Sequence, residues 1–314
     1  MKIIDFQTIT ELHISPALCI EWAKHMMMKK YECALPPKIS LKMPGEIFIT
    51  TMPSEIPEVN RCGIKIVSRY PEQSPALQSE IILYDSKTGE RLAFMDGTWI
   101  TAMRTGAVAA LSIQALQSSK TSEYAFMGLG NTARATLLCL LENFKGNTFN
   151  VRLLAYKGQE LEFIERFKNY PDLHFSICPN IESLMAGADV VVSCVTAADH
   201  LLVPDHCFKP GVLVVPVHTR GFQNCDLFFD KVFADDTGHV KEFKYFDRFR
   251  QFDELSRVML EQAAGRENDQ ERIVIYNIGI SIHDIYFASQ IYDMVGSVTE
   301  KQVNLFSETN KFWL

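Results

Sequence analysis

The turn Gly128-Leu129-Gly130-Asn131-Thr132-Ala133 follows the apolar run Tyr124-Ala125-Phe126-Met127 and opens a helix-like stretch from Ala133 to Glu142. In this order of strand, glycines and helix, Gly128 suits a tight turn and Gly130 lets backbone approach a pyrophosphate. Small Ala133 lets the helix pack on the strand, and unpaired N–H groups at the helix start face phosphate oxygens. Asn131 and Thr132 complete the candidate loop. A G-x-G-x-x-A match alone carries little weight; it gains weight here because the rest of the chain keeps alternating strand with helix. The strand after such a loop normally ends in an acid that binds the adenosine ribose. Here the stretch ends Ala155-Tyr156-Lys157 and no acid occurs until Glu160. Tyr156 and Lys157 are therefore cofactor candidates, and Lys157 or Arg152 could meet a 2′-phosphate, which leans the choice within NAD(P) toward NADP(H). Lys157 could equally be a solvated loop lysine. Thr196, just past Ser193-Cys194-Val195, falls where ligands of such sheets lie.

Two cations stand out. On a helix Arg104 shares a face with Ile100, Val108 and Leu111. A guanidinium on an apolar stripe needs a partner: either Asp96 or a backbone carbonyl, or a substrate carboxylate, which its fork suits better than a lysine does. Lys65, in Cys62-Gly63-Ile64-Lys65-Ile66-Val67, points to the opposite face from Ile64 and Ile66; as a half-exposed strand lysine it would be unremarkable.

The elements that position these groups fall into two regions. Residues 1–118 suggest a mixed α+β domain: a short strand, a helix near Pro16–Tyr31, then strands at Lys38–Lys42, Glu46–Met52, Gly63–Tyr70, Glu80–Tyr84 and Arg91–Asp96. Asp85-Ser86-Lys87-Thr88-Gly89 supplies hairpin chemistry between the last two. Residues 119–289 predict strands at 123–127, 150–155, 174–178, 189–195, 211–217, 231–236 and 272–278, separated by helices or longer excursions. This is an α/β, Rossmann-type doubly wound parallel sheet. A helix from about Ile282 to Val295 crosses back, so that 290–314 return to the first domain.

With 314 residues and 47% hydrophobic content the chain is long enough for two globular domains. A formal net charge of −7 argues against nucleic acid or an anionic membrane as the main partner. The eight cysteines show neither C-x-x-C nor zinc-type spacing, so no metal is expected and they read as buried thiols of a reducing cytosol. No signal-peptide pattern opens the chain, and the longest apolar stretch, Trp99 to Leu116, contains Arg104. A cytoplasmic protein is expected.

The segments MDGTWITAMRTGAVAALSIQAL (95–116), TMPSEIPEVNRCGIKIVSRYP (51–71), GLGNTA (128–133) and NIGISIHDIYFASQIY (277–292) together resemble the ornithine cyclodeaminase and mu-crystallin family over nearly the whole chain. The resemblance implies a homodimer whose first domain provides the dimer sheet and a substrate pocket, with a nicotinamide cofactor on the second domain. It implies substrate contacts for Lys38, Met52, Lys65 and Arg104, and cofactor contacts for Thr105 and Gly279. The implied chemistry is hydride transfer at the α-carbon of an amino acid, or of an imine formed from a 2-oxo acid, with Lys65 as the acid/base. Acting as a base, Lys65 would need burial or a neighbouring cation such as Arg104 to lower its proton affinity. Cyclodeaminases of the family carry a G-G-D-C-P-G-K-T-E-L-like segment with a catalytic aspartate. The corresponding stretch here, Val217 to Leu227, has no acid at that place. His218 could replace it as proton donor or bond a loop carbonyl; Arg220 could bind a second carboxylate or face solvent. Helix capping and packing are expected for His283 and Asp284. An amino acid dehydrogenase or imine reductase is the leading expectation. The alternatives are a cyclodeaminase-type lyase that releases ammonia with tightly bound NAD, and a non-catalytic NADPH-dependent binding protein.

Overall fold

The computed structural model describes residues 1–296, except 197, 199, 218 and 219, together with residue 303. By backbone contacts the chain forms two units. Among the described residues, one comprises Met1–Ile14, Glu32–Ile100 and those from Ser281 onward; the other comprises Ser15–Tyr31 and Thr101–Ile280. Most of the expected return over 290–314 lies outside the described residues. The strands are β1 (Lys2–Ile4), β2 (Ile39–Met43), β3 (Ile47–Ile56), β4 (Arg61–Arg69), β5 (Leu77–Asp85), β6 (Arg91–Asp96), β7 (Glu123–Met127), β8 (Phe149–Leu154), β9 (Leu173–Cys178), β10 (Val190–Ser193), β11 (Leu213–Pro216), β12 (Lys231–Ala234), β13 (Phe252–Glu254) and β14 (Ile273–Tyr276). The helices are α1 (Phe6–Glu11), α2 (Pro16–Met28), α3 (Thr98–Leu116), α4 (Asn131–Asn143), α5 (Gln159–Arg166), α6 (Ile181–Met185), α7 (Cys225–Phe228), α8 (Thr237–Val240), α9 (Leu255–Met259) and α10 (Ser281–Val295).

The first unit is a six-stranded sheet in the order β1-β6-β5-β4-β3-β2, antiparallel apart from the β1–β6 pair. Between β5 and β6 the predicted hairpin forms: Asp85 Oδ1 accepts from the N–H groups of Lys87 and Thr88 at 2.9 and 2.8 Å, and Gly89 takes φ +73°. One face buries Met52, Ser54, Gly63, Lys65, Ile81, Leu83, Ala93 and Met95, and α10 packs on that sheet along β3, β4 and β5. Gly63 permits the close approach, since a Cβ there would lie 2.8 Å from Ile285 Cδ1 and 2.5 Å from the Ile82 carbonyl oxygen. The start of α10 is tied down by Ser281, whose Oγ donates to the Pro53 carbonyl at 2.7 Å. The opposite face carries an apolar row across the sheet. There Pro53 pairs with Ile64, Ile64 with Ile82 and Ile82 with Phe94. Ile39 and Leu41 on β2 are 71% and 62% exposed.

The second unit is an eight-stranded, wholly parallel sheet in the order β13-β12-β14-β11-β10-β7-β8-β9. From β7 the chain runs outward through β8 and β9, then resumes on the other side at β10. The switch point between β7 and β10 is where a doubly wound sheet opens its ligand crevice. Central strands such as Val190–Ser193 are buried on both faces and read as continuous apolar runs, as parallel strands must. Edge strand β13, three residues long, was not expected. The sequence set the domain boundary at 118/119; by contacts, α2 and most of α3 go with the parallel sheet. The reason is helix packing: α2 lies on α4, and on α3 a Cβ at Gly106 would come within 2.5 Å of the Ala135 carbonyl carbon in α4. Cys19, Cys139, Cys178 and Cys225 are buried as expected, whereas Cys33, Cys62, Cys194 and Cys207 are half-buried; all eight are free. Among the described residues no helix is long and apolar enough to cross a membrane.

Beneath the second sheet, Asp226 accepts a 2.7 Å hydrogen bond from the Tyr276 hydroxyl, and its Oδ2 is buried without a hydrogen-bond partner. Burial pushes the Asp226 carboxyl up to about 7, outweighing the Tyr276 bond that lowers it. The folded chain thus keeps this proton to near neutrality, whereas an unfolded aspartate loses it from about pH 4. This contribution to stability is fully present below about pH 4 and is lost as pH rises through 7; about three pH units correspond to on the order of 4 kcal/mol. Asp226→Asn is expected to remove the pH-dependent loss. Urea denaturation should show the variant gaining a few kcal/mol on wild type at pH 8 and little at pH 4; equal differences at both values would refute the assignment.

Candidate active site

Gly128 sits at the end of β7 with φ +76°, and a Cβ there would lie 2.5 Å from the backbone carbonyl carbon of Cys194 and the nitrogen of Val195. Only glycine suits both constraints, so the turn is held against the end of β10 at the switch point. Gly130 is the N-cap of α4 and makes no side-chain cap. Nothing stands within 4 Å of where its Cβ would be. The 13-residue α4 therefore presents an open N-terminus whose first N–H groups, from Asn131, Thr132 and Ala133, have no capping side chain. Ala133 is fully buried beneath them. This cradle fits the pyrophosphate of a nicotinamide dinucleotide. Thr196 is exposed three residues beyond β10. After β8, Tyr156 is 55% exposed. Its N–H donates to Glu160 Oε2 at 2.9 Å, and the Lys157 Nζ lies 5.1 Å from the Tyr156 ring centroid. Lys157 (φ +53°) and Gly158 (φ +81°) form a left-handed corner before α5. Arg152 is not available as the alternative phosphate ligand, because it donates to the Ser183 carbonyl and pairs with Glu123 at 3.7 Å.

Arg104 is 5% exposed on α3, on the buried stripe the sequence predicts. Asp96, one of its expected partners, accepts from the Thr98 N–H at the start of α3 at 2.8 Å. The guanidinium lies on Gly279, where a Cβ would be 2.6 Å from Nη1 and 3.0 Å from Nη2. Gly279 has φ +76° and donates its N–H to Asp235 Oδ2 at 2.8 Å, while Asp235 Oδ1 accepts from Asn277 Nδ2 at 2.8 Å. Asn277 also donates to Ser112 Oγ on α3 at 3.0 Å. Burial raises the Asp235 carboxyl, opposed by these hydrogen bonds and by the Arg104 charge. Asp235 and Asn277, at the ends of β12 and β14, thus hold in place the glycine on which the guanidinium lies. Thr105 donates to the Thr101 carbonyl at 2.6 Å and precedes Gly106, the residue against α4. Asp235 and Asn277 escaped sequence reasoning because their partners are remote in the chain.

In the first unit, Lys65 is 1% exposed and its Nζ lies 2.9 Å from Oδ1 of Asp284, itself 0% exposed. Lys65 is therefore not the unremarkable half-exposed strand lysine that alternation allows: it occupies the face under α10, and Ile64 and Ile66 occupy the other. Asp284, expected to cap and pack, supplies an anion to a residue for which the sequence expected a cation neighbour. Removing either partner from such a buried pair costs about 3–5 kcal/mol, because the other charge is left uncompensated. Met52 is buried and stands directly opposite Lys65 in the β3–β4 register. Lys38 is half-buried and immediately precedes β2. Arg220 is exposed; His218 lies outside the described residues.

Three comparisons bear on this geometry. A family model described as the ornithine cyclodeaminase/mu-crystallin family matches residues 6–299. A nodulation efficiency protein, NfeD, of Rhizobium meliloti is 28% identical over 278 residues, covering 82% of this chain and 83% of its own. A Δ1-pyrroline-2-carboxylate reductase of Bacillus thuringiensis is 25% identical over 265 residues, covering 77% of this chain and 80% of its own. Among solved structures, the Δ1-pyrroline-2-carboxylate reductase of Thermococcus litoralis, in complex with NADH and L-proline, superposes with a TM-score of 0.85 at 21% identity. It covers 97% of this chain and all of its own, and so shares the fold.

Contact between Gly279 and Arg104 separates backbone strain from side-chain collision. Gly279→Ala should lose about 1–3 kcal/mol in urea denaturation. Gly279→Asn, which tolerates a left-handed backbone, should lose a comparable amount because its Cβ still meets the guanidinium. A near-neutral asparagine variant would show that Arg104 does not rest there.

Proposed function

This chain belongs to the ornithine cyclodeaminase/mu-crystallin family, and from that premise we propose that it is an NAD(P)-dependent oxidoreductase that moves hydride at the α-carbon of a small amino acid or of its imine. The observation that carries the reading is the packing of α3 on α4. Gly106 brings the helix bearing buried Arg104 against the helix whose open N-terminus fits a pyrophosphate. A guanidinium fork for a substrate carboxylate and a dinucleotide cradle are thus parts of one rigid contact. A bound nicotinamide supplies the hydride in the reducing direction and accepts it in the oxidising one.

The chain's own residues do the rest. Gly128, Gly130, Asn131, Thr132 and Ala133 hold the pyrophosphate through backbone N–H groups and through the absence of side chains. Thr105, Tyr156, Lys157 and Thr196 line the remainder of the cofactor site, with Lys157 favouring a 2′-phosphate and hence NADP(H). Arg104, steadied by Gly279 and Asp235, binds the α-carboxylate; Lys38, Met52 and Arg220 bound the substrate; Lys65 transfers the proton. Imino acids of the kind named for the Bacillus relative, such as Δ1-pyrroline-2-carboxylate, are the substrate class to try first. With this carboxylate imine as substrate, absorbance at 340 nm should fall in its presence, and NADPH should saturate below NADH. Ammonium released from ornithine at constant absorbance would instead identify a cyclodeaminase, and nucleotide binding without turnover a binding protein.

An apolar row on the outer face of the six-stranded sheet supports a homodimer. A row of Pro53, Ile64, Ile82 and Phe94 flanked by Ile39 and Leu41 is the kind of surface that a second copy covers. Sedimentation should give twice the chain mass. Ile82→Lys, at the centre of the row, should shift the protein to monomer at micromolar concentration; a monomeric wild type, or an unperturbed dimer in the variant, would remove this face as the interface.

A further inference from the structure

We propose that Asp284 is a positioning residue that keeps Lys65 in its ammonium form and aims it, so that the pair serves as the proton donor in the imine-reducing direction. This rests on the reading of Lys65 as the proton-transfer group. The inference starts from burial. Lys65 and Asp284 are 1% and 0% exposed with 2.9 Å between Nζ and Oδ1, and two such groups are stable there only as a paired set. Which protonation state the pair adopts follows from its surroundings. Asp284 lies in the first turn of the 15-residue α10, where the helix dipole favours a carboxylate over a neutral acid. That carboxylate in turn favours ammonium over amine at Lys65.

The other elements around Lys65 do not oppose this. The buried inward positions of β3 are Thr50, Met52, Ser54 and Ile56, and those of β5 are Ser79, Ile81 and Leu83. None of these titrates in the working range. On β4 itself, Arg61 and Arg69 share the Lys65 face at the strand ends; Arg61 bonds Asp293 at 3.2 Å and Arg69 bonds Glu46 at 2.9 Å. From α10 the buried titratable side chains are His283, Asp284 and Tyr286. Position is set as firmly as charge: Ser281 anchors the start of α10 to Pro53, and Gly63 admits Ile285 close to the strand. Chemically, a lysine held as ammonium is a donor before it is a base. An Nζ–H bond breaks, an N–H bond forms on the imine nitrogen of the substrate, and the electron pair of the broken bond stays on Lys65 as the neutral amine. The reduced nicotinamide supplies the electron pair that the imine carbon gains.

The test combines a titration that needs no turnover with a rate profile. In full-length protein carrying lysine labelled with carbon-13 at Cε, the Lys65 signal, assigned by its loss in Lys65→Met, is followed with pH in wild type and in Asp284→Asn. The alkaline midpoint should fall by about 1–3 pH units in Asp284→Asn, and kcat/KM for reduction of Δ1-pyrroline-2-carboxylate should decline at the correspondingly lower pH. Asp284→Glu should restore the midpoint and lower kcat, since it returns the charge on a longer arm. The same midpoint in wild type and Asp284→Asn would overturn the proposal. If Asp284→Asn fails to fold, Asp284→Glu decides: a midpoint below wild type with undiminished kcat overturns it. An Asp284-dependent titration in a protein that reduces no imine would instead defeat the hydride-transfer reading and leave the pairing intact.

Discussion

Two opposite charges buried 2.9 Å apart under a helix constrain the first unit more than any apolar contact in it. An apolar pair at that place would tolerate sliding of α10 along the sheet, because dispersion and burial are non-directional. An ammonium and a carboxylate shut away from water are not forgiving, since separation leaves each with its desolvation cost and no compensation. The register between α10 and β4 is therefore held by this pair together with the Ser281–Pro53 bond and the approach of Ile285 to Gly63. Ile64 and Ile66 alternate with the lysine and so lie on the other sheet face.

The second unit solves a different problem, that of presenting backbone. Its helix α4 must begin with nothing over its N–H groups, and its turn must lie flat on the end of β10. Both demands are met by the lack of a side chain at Gly130 and Gly128. Around Arg104 the logic returns to charge. A guanidinium is seated on a left-handed glycine, and a buried aspartate holds that glycine's N–H, so the arginine's height above the sheet edge is set by backbone. The short run from Asn277 to Asp284 supplies the rest for Arg104 in this unit and the counter-charge for Lys65 in the other.

Much of this was legible in the amino acids. The glycine turn, the alternation of strands and helices and the Asp85–Gly89 hairpin obey local rules, and local rules survive into the fold. Helix α3 places Arg104 on its buried stripe because periodicity alone decides that. The burial of Lys65 was not legible, because alternation identifies two faces without saying which is covered. Its partner stands 219 residues away, a separation that no spacing rule reaches. Strand β13 was missed for want of length, and the allotment of α2 and α3 because helix packing depends on Gly106, a residue whose significance is a contact that it permits.

At position 63 the chain shows how an atom that is not there acts at a distance. A methyl group would occupy the space of the Ile82 carbonyl oxygen and the Ile285 terminal carbon, so the strand beside it and that side chain would both have to give. Ile285 directly follows the carboxylate at 284 in the first turns of its helix. The seat of the counter-charge to a lysine two positions along the strand thus borders on a vacancy that only glycine leaves. Beside the charged pair, what is missing from a residue counts as much as what the residues carry.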